Sequence, residues 1–516
     1  MKEPCKSLKP KKDGILTAVL IVFAGLISMD QLRVGRRFMM FEHLNDTLTV
    51  LGLGLFLLES VLFLKRRYGS KNCPGENVTY KGFPGNLAPG LIFLSVFSLA
   101  GWFGSHPDCI SVDLIKGYAL FENLRFYACA FLSFLVYRRV RFSELPDWCR
   151  AGTAALLSVP SAVILFCSVT DFFFQRWPTQ MWRFGVRSQQ LFYGHPTNLA
   201  MACVFLMLLL LCLREKLFSA GEEMPLLRYL SCLAAAAAAV LLVPLIMTLR
   251  IRVFGLLLGM LVLFVYCVVF RRQVKFWMLP VLGAGLLAVG WRRIVRHYFS
   301  PEVLNAARGA MLRAALDICR TRFPLGAGFG NFGSRMAQHF YSPLYYTYEM
   351  TEIEGLTPAW PSYACDSFWS MLLGETGVLG TLCYVGLMIW LFLLINRRLR
   401  AGSLSYFCAL SLLLYEAVET SATLAFSEYN GYAFGLLLGF LLTGSNEQET
   451  AAGEVRKPGA GKRSGGGQQP GTRQRPIAGQ QPAEDQRSEA AQPASPAAET
   501  AEPGKTKKQK RRRKKK

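Results

Sequence analysis

Apolar runs separated by short polar connections fill the first 443 residues of the chain. They fall at 14–29, 47–64, 88–104, 119–137, 151–170, 196–213, 229–248, 253–270, 276–291, 376–396, 404–421 and 430–443. A helix needs roughly 20 apolar residues to cross about 30 Å of hydrocarbon, and most of these runs approach that length. The alternating ten-residue segments of a transmembrane barrel are absent. The chain therefore reads as all-α, a polytopic membrane bundle of about 12 transmembrane helices spanning 1–443.

One polar interruption is much longer than the rest. It runs from Trp291 to about Gly380 and predicts one large external loop over 292–375. Within it, Ala307 to Arg320 has the spacing of an amphipathic helix. A glycine-rich stretch, Phe323-Pro-Leu-Gly-Ala-Gly328-Phe-Gly330-Asn-Phe-Gly333, follows, and then a tyrosine-rich segment from Tyr341 to Tyr348. Asp366-Ser-Phe-Trp369 and Gly374-Glu-Thr-Gly-Val-Leu-Gly380 lead into the next apolar run.

Composition sharpens the picture. The chain of 516 residues is 52% hydrophobic yet carries a formal charge of +24, a combination that suits a membrane protein with basic connections. Lys65-Arg66-Arg67, Arg138-Arg139, Arg271-Arg272 and Arg397-Arg398 mark alternate connections, which places the N-terminus and the C-terminal end in the cytoplasm. Arg33, Arg36 and Arg37 run against that alternation. The fourteen cysteines are scattered, with no Cys-x-x-Cys pair. From 444 to 516 the composition changes to Gly, Gln, Pro, Ala and Ser, ending in a lysine and arginine run, so a disordered cytoplasmic tail with a polybasic end is expected. Beside a dozen spans such a run suits anionic membrane lipid, or is a plain solvated charge run, rather than a nucleic-acid site.

The same alternation puts three cationic segments on the outer face, where basic residues are unusual: 171–195 with Arg187 and His195, the turn Thr248-Leu-Arg250-Ile-Arg252, and the long loop with Arg308, Arg313 and Arg320. An anionic ligand on that face accounts for them, and guanidinium forks suit bidentate phosphate binding. Snorkelling to lipid headgroups is the simpler reading of Arg250 and Arg252. Asp366 has the position of either a helix N-cap or a general base. His195, just before Pro196, is a helix-start residue or a ligand contact. Gly328 and Gly330 match G-x-G-x-x-G, but no strand precedes them, so a dinucleotide site is rejected. A turn that brings backbone close to a lipid or sugar, or a plain turn beside the membrane, remains. Glu416 and Glu419 lie one helical turn apart in the eleventh run and face the bundle interior, where either can pair with an arginine.

In the order and spacing of these motifs, over about 190 to 440, the chain resembles the O-antigen ligase/polymerase superfamily, most closely the capsular and exopolysaccharide repeat-unit polymerases. The residues that carry the resemblance are Leu191-Phe-Tyr-Gly-His195-Pro-Thr-Asn198, Thr248-Leu-Arg250-Ile-Arg252-Val-Phe-Gly255, Ala307-Arg308, the stretch 323–333, Asp366-Ser-Phe-Trp369 and the stretch 374–380. The resemblance implies an undecaprenyl-diphosphate-linked glycan as substrate and glycosyl transfer with no cofactor, metal or nucleotide sugar. Catalysis would fall to Asp366, Arg308 and Arg250. Substrate binding would fall to Arg252, Arg187, His195, Arg313, Arg320, Gly328 and Gly330. The ligase branch carries a His-Asn pair before its last glycine-rich turn; Asp366-Ser367 stands here instead and favours a polymerase.

These observations lead to the expectation of a glycosyltransferase at the outer face of a bacterial plasma membrane, polymerising lipid-linked repeat units into a capsular or exopolysaccharide. Its partners would be the lipid-linked glycan, membrane lipid and other polysaccharide-assembly proteins. An O-antigen-type ligase and a polytopic lipid-glycan flippase are the alternatives.

Overall fold

The computed structural model describes residues 50, 54, 88–105, 129–130, 133, 145–177, 179, 181–220, 225–295, 307–420 and 430–442. The chain divides into two units, Met1–Lys457 and Pro458–Lys516, and every described residue belongs to the first. The runs expected at 14–29, 47–64 and 119–137 lie wholly or mostly outside the described residues, as does the tail from 444.

The described chain is helical. In order it forms α1 (Ala88–Phe103), α2 (Asp147–Phe174), a hairpin of β1 (Trp182–Arg183) and β2 (Val186–Arg187), α3 (Pro196–Ala220), α4 (Pro225–Val240), α5 (Leu242–Met247), α6 (Ile251–Phe264) with a π turn to Val269, and α7 (Met278–Ile294). The long polar segment supplies α8 (Ala307–Thr321), α9 (Arg335–His339) and α10 (Leu344–Thr347). Then come α11 (Phe368–Arg398), α12 (Leu404–Glu419) and α13 (Asn430–Leu442). Among the described residues, five stretches are long and apolar enough to cross a membrane: Asp147–Phe174, Pro196–Phe218, Pro225–Met247, Ile251–Val269 and Phe368–Arg398. This is a helical membrane protein.

From Leu199 to Leu210 helix α3 is apolar on every side, and these residues are all buried. A helix with no polar face belongs at the centre of a bundle, and α2, α4, α12 and α13 pack around it. Elsewhere glycine sets the packing. The missing side chains of Gly90 and Gly386 make room for the rings of Trp390 and Phe93, so α1 and α11 interdigitate in antiparallel sense. Gly435 and Gly439 meet residues 129 and 133 in turn, so α13 runs parallel to that short described piece.

Hydrogen bonds between helix ends define two poles. At one, the Glu215 carboxylate accepts from the Leu404 and Ser405 amides (2.9 and 2.7 Å), and the Tyr406 hydroxyl donates to Asn396 (2.6 Å). Gly402 N–H donates to Cys267 O there as well (2.8 Å). The opposite pole collects the end of α2, the hairpin, the start of α3, the turn between α5 and α6, and the end of α12. Gln189 N–H donates to Met247 O (2.9 Å), and Ser188 Oγ to Thr248 O (2.6 Å). Because α11 and α12 are antiparallel neighbours, α11 begins at this second pole.

The polar segment folds on the same pole with its own small core. Met311, Ala315 and Ile318 of α8 pack with Phe332, Leu344, Tyr345, Met350 and Leu356. The amphipathic run predicted there is realised as α8.

The apolar run expected at 376–396 begins earlier, at Phe368, and its glycine-rich entrance is a break inside the helix. Gly377 adopts φ 65° and ψ −159°, which interrupts the helical hydrogen-bond ladder. The stretch 324–328 takes up the freed groups. Ala327 N–H donates to Gly374 O (2.7 Å), Gly328 N–H to Glu375 O (2.9 Å), and Leu379 N–H to Pro324 O (3.2 Å). The two glycine-rich motifs of the sequence are thus two halves of one joint, and each satisfies the other's backbone. An added methyl at Gly377 would overlap the Leu325 carbonyl carbon. Gly377→Ala is therefore expected to cost about 3 kcal/mol of stability, from the φ/ψ alone and before any overlap. A fall in the thermal midpoint of the detergent-solubilised protein checks it.

Candidate functional site

The predicted site residues gather into three groups at the loop-bearing pole. The first is built on the start of α3 and the turn before α6. His195 stands one residue before α3, and Arg250 and Arg252 flank the first residue of α6. Arg250 Nη2 lies 2.9 Å from His195 Nε2, and Arg252 Nη2 donates to Thr197 Oγ1 (2.5 Å). The other terminal nitrogen of Arg252 is 3.3 Å from Glu419 Oε1 at the end of α12. Arg183 of the hairpin donates to Leu249 O (3.4 Å), which joins a third guanidinium to the group.

An arginine only donates, so His195 Nε2 is the acceptor of this contact. Enclosure of the ring, and after it the charges of Arg250, Arg252 and Arg183, push the imidazole from 6.5 down to about 4. The ring keeps an exposed edge, so the three cations rather than the enclosure are the firmer cause of its neutrality. Three guanidinium groups stand around a neutral imidazole, with Glu419 as a carboxylate against one of them. Such a cluster is suited to an incoming dianion.

The second group is an ion pair across the polar segment. Arg308, on the first turn of α8, places Nη2 3.1 Å from Asp366 Oδ2, two residues before α11. Both side chains are about one-third exposed, 32% and 39%. Ser367, not Asp366, holds the N-cap position of α11, and its hydroxyl pairs with Ser370 (2.7 Å) instead of an amide. Asp366 thus stands just outside the helix, turned to Arg308.

The third group is the glycine joint. Gly328 and Gly330 have φ of 91° and 78° and are buried. Their close approach is to this chain's own backbone: Gly328 against Gly104 and Glu375, and Phe329 N–H on Gly101 O (2.9 Å). Asn331 Nδ2 closes the turn on Ala327 O (3.1 Å), and Glu375 Oε1 accepts from Phe332 N–H (3.2 Å). Among the described residues it is helix α8, not a strand, that leads into the glycines.

The remaining predicted residues are placed differently. Arg187 pairs with the fully buried Asp171 (2.9 Å), which also accepts from Trp177 N–H (2.8 Å), so Arg187 pins the hairpin to α2. Arg313 and Arg320 lie on the exposed face of α8. At 100° per residue they share a side with each other and stand 120° to 140° around the helix from Arg308. Sequence reasoning left Arg183 without a specific role and gave Glu419 only a generic arginine partner. The Arg252 contact makes that partner specific. The signal for Arg183 was its place in the same cationic stretch as Arg187 and His195.

No family model matches this chain, and no curated protein is detectably similar to it.

Proposed function

We propose that this protein is a glycosyltransferase that polymerises undecaprenyl-diphosphate-linked oligosaccharide repeat units into a capsular or exopolysaccharide. In this reading about 12 spans cross a bacterial plasma membrane, both termini are cytoplasmic, and the segment 292–375 faces outward. The observation that carries it is the cation cluster of Arg250, Arg252 and Arg183 at the same pole as the Arg308–Asp366 pair. The cluster suits a diphosphate, and the pair suits a hydroxyl that must lose its proton.

Transfer breaks the bond between the donor's anomeric carbon and the diphosphate oxygen, which keeps the electron pair. A new bond forms from that carbon to the acceptor oxygen. Fixed guanidinium groups act where this negative charge develops, and that is where preorganised charge lowers a barrier most. Arg308 exchanges the Asp366 carboxylate for a phosphate oxygen as the donor seats, which frees Asp366 to take the acceptor's proton. Tethering donor and acceptor to one membrane supplies the proximity.

A transporter of the same lipid-linked glycan is the second reading. What favours it is Glu416, fully buried in α12 with neither carboxylate oxygen hydrogen-bonded among the described residues. Purified protein in liposomes, supplied with lipid-linked repeat units and no nucleotide sugar, separates the two. The expected product is a ladder of longer glycans; relocation of single units without lengthening would leave only the transporter. A cysteine at the exposed Glu352 should label from outside intact cells.

A further inference from the structure

The turn at 355–366 presents two aromatic rings to solvent on a braced frame. Thr357 and Trp360 form an antiparallel bridge, with Trp360 N–H donating to Thr357 O (3.0 Å) and Oγ1 (3.2 Å). Tyr363 N–H donates to Gly355 O (2.9 Å), and Gly355 has φ 80°. A side chain at Gly355 would occupy the place of the Tyr363 ring, so the ring rests on bare backbone. The turn is anchored by Gln338 Nε2 on Pro361 O (2.8 Å) and by the Tyr341 hydroxyl on Leu356 O (2.7 Å). The rings of Trp360 and Tyr363 stand 5.9 Å apart at 48°, and they are 55% and 41% exposed.

This exposure is not for want of a core. Leu356 and Ala364, in the same turn, are buried in the segment's own cluster. The exposed Phe340 and Tyr346 of the segment lean edge-on against His339 and Tyr341, whereas Tyr363 is supported from behind. The pair also sits beside the reacting groups, since Asp366 N–H donates to Tyr363 O (3.1 Å).

We propose that Trp360 and Tyr363 form a carbohydrate platform that holds a sugar ring of the glycan next to Asp366. The inference rests on the glycosyltransferase reading and adds to it the contact that positions the sugar. An aromatic face carries negative charge density, and the C–H face of a pyranose is apolar and slightly positive, so the two stack. Insertion of the rings into lipid fits less well, because Glu352 and Glu354 of the same segment are exposed and a carboxylate resists entry into hydrocarbon.

The test compares Trp360→Phe and Tyr363→Phe with Trp360→Leu and Tyr363→Leu, in cells with matched membrane levels of each variant. Leucine keeps an apolar side chain but no ring face. The phenylalanine variants are expected to keep wild-type chain lengths. The leucine variants are expected to give short oligomers, with about tenfold less long polymer. Purified leucine variants should bind oligosaccharide cut from the same cells' polymer about tenfold more weakly. Wild-type lengths and binding in the leucine variants would overturn the platform, as would phenylalanine variants as defective as leucine ones. Arg250→Lys, run alongside, keeps the two failures apart. If it loses polymer while the leucine variants do not, only the platform falls; if it keeps polymer, the underlying reading falls.

Discussion

Arg308→Lys and Asp366→Asn are each expected to abolish visible polymer while single repeat units accumulate on the lipid carrier. The effect is about a hundredfold or more for either, the scale of losing one transition-state donor or one general base. Lysine keeps the charge of Arg308 but presents one nitrogen where the guanidinium presents a planar fork, so charge alone does not rescue it. Asparagine still accepts from Arg308 but takes up no proton. Neither loss comes from unfolding. The pair is about one-third exposed, and ion pairs of that kind contribute about 1 kcal/mol or less. Gel-resolved lipid-linked glycan at matched expression is the measurement. Normal chain lengths in Asp366→Asn would remove Asp366 as the base.

The capping reading of Asp366 illustrates what the sequence leaves undecided. Asp before an apolar run suits an N-cap, but the helix starts one residue later than that reading needs, and Ser367 takes the position. The rotation of one residue turns Asp366 towards Arg308, 58 positions away in the chain. No local pattern reports such a distance. What is local was legible. The apolar run at 196–213 announces a spanning helix, and the 3.6-residue spacing of 307–320 announces α8.

The glycine motifs stand between these cases. Their composition promised close backbone approach, and close approach occurs, yet the partner is the broken turn of α11. A sequence shows that a side chain is missing, not which backbone fills the space. Arg187 has a partner that the sequence does not report for a related reason. It shares a loop with His195, but the buried Asp171 at the end of α2 is the nearer electrostatic partner. Arg313 and Arg320 share a helix with Arg308, and helical phase separates them.

The Arg250–His195 contact yields the most demanding expectation. Arg250→Lys should lose polymer on the same scale as Arg308→Lys, because the fork that meets His195 also sets the plane offered to phosphate. His195→Gln should retain most activity, since a side-chain carbonyl can accept from Arg250 in place of Nε2. The two forms should differ with pH. In the folded protein His195 stays neutral down to about 4, whereas an unfolded chain takes up that proton near 6.5. Between those values the unfolded state binds the extra proton, so the contribution of His195 to stability is present above the window and lost on acidification. Activity follows the same direction. A protonated imidazole has no lone pair for Arg250 and adds a fourth positive charge to the cluster, so polymerisation should fall as pH drops towards 4. In His195→Gln that step should be missing. Rates measured across pH on purified protein decide the matter. If His195→Gln is inactive at every pH with the protein folded, the imidazole carries the proton itself, and Asp366 returns to a supporting place beside Arg308.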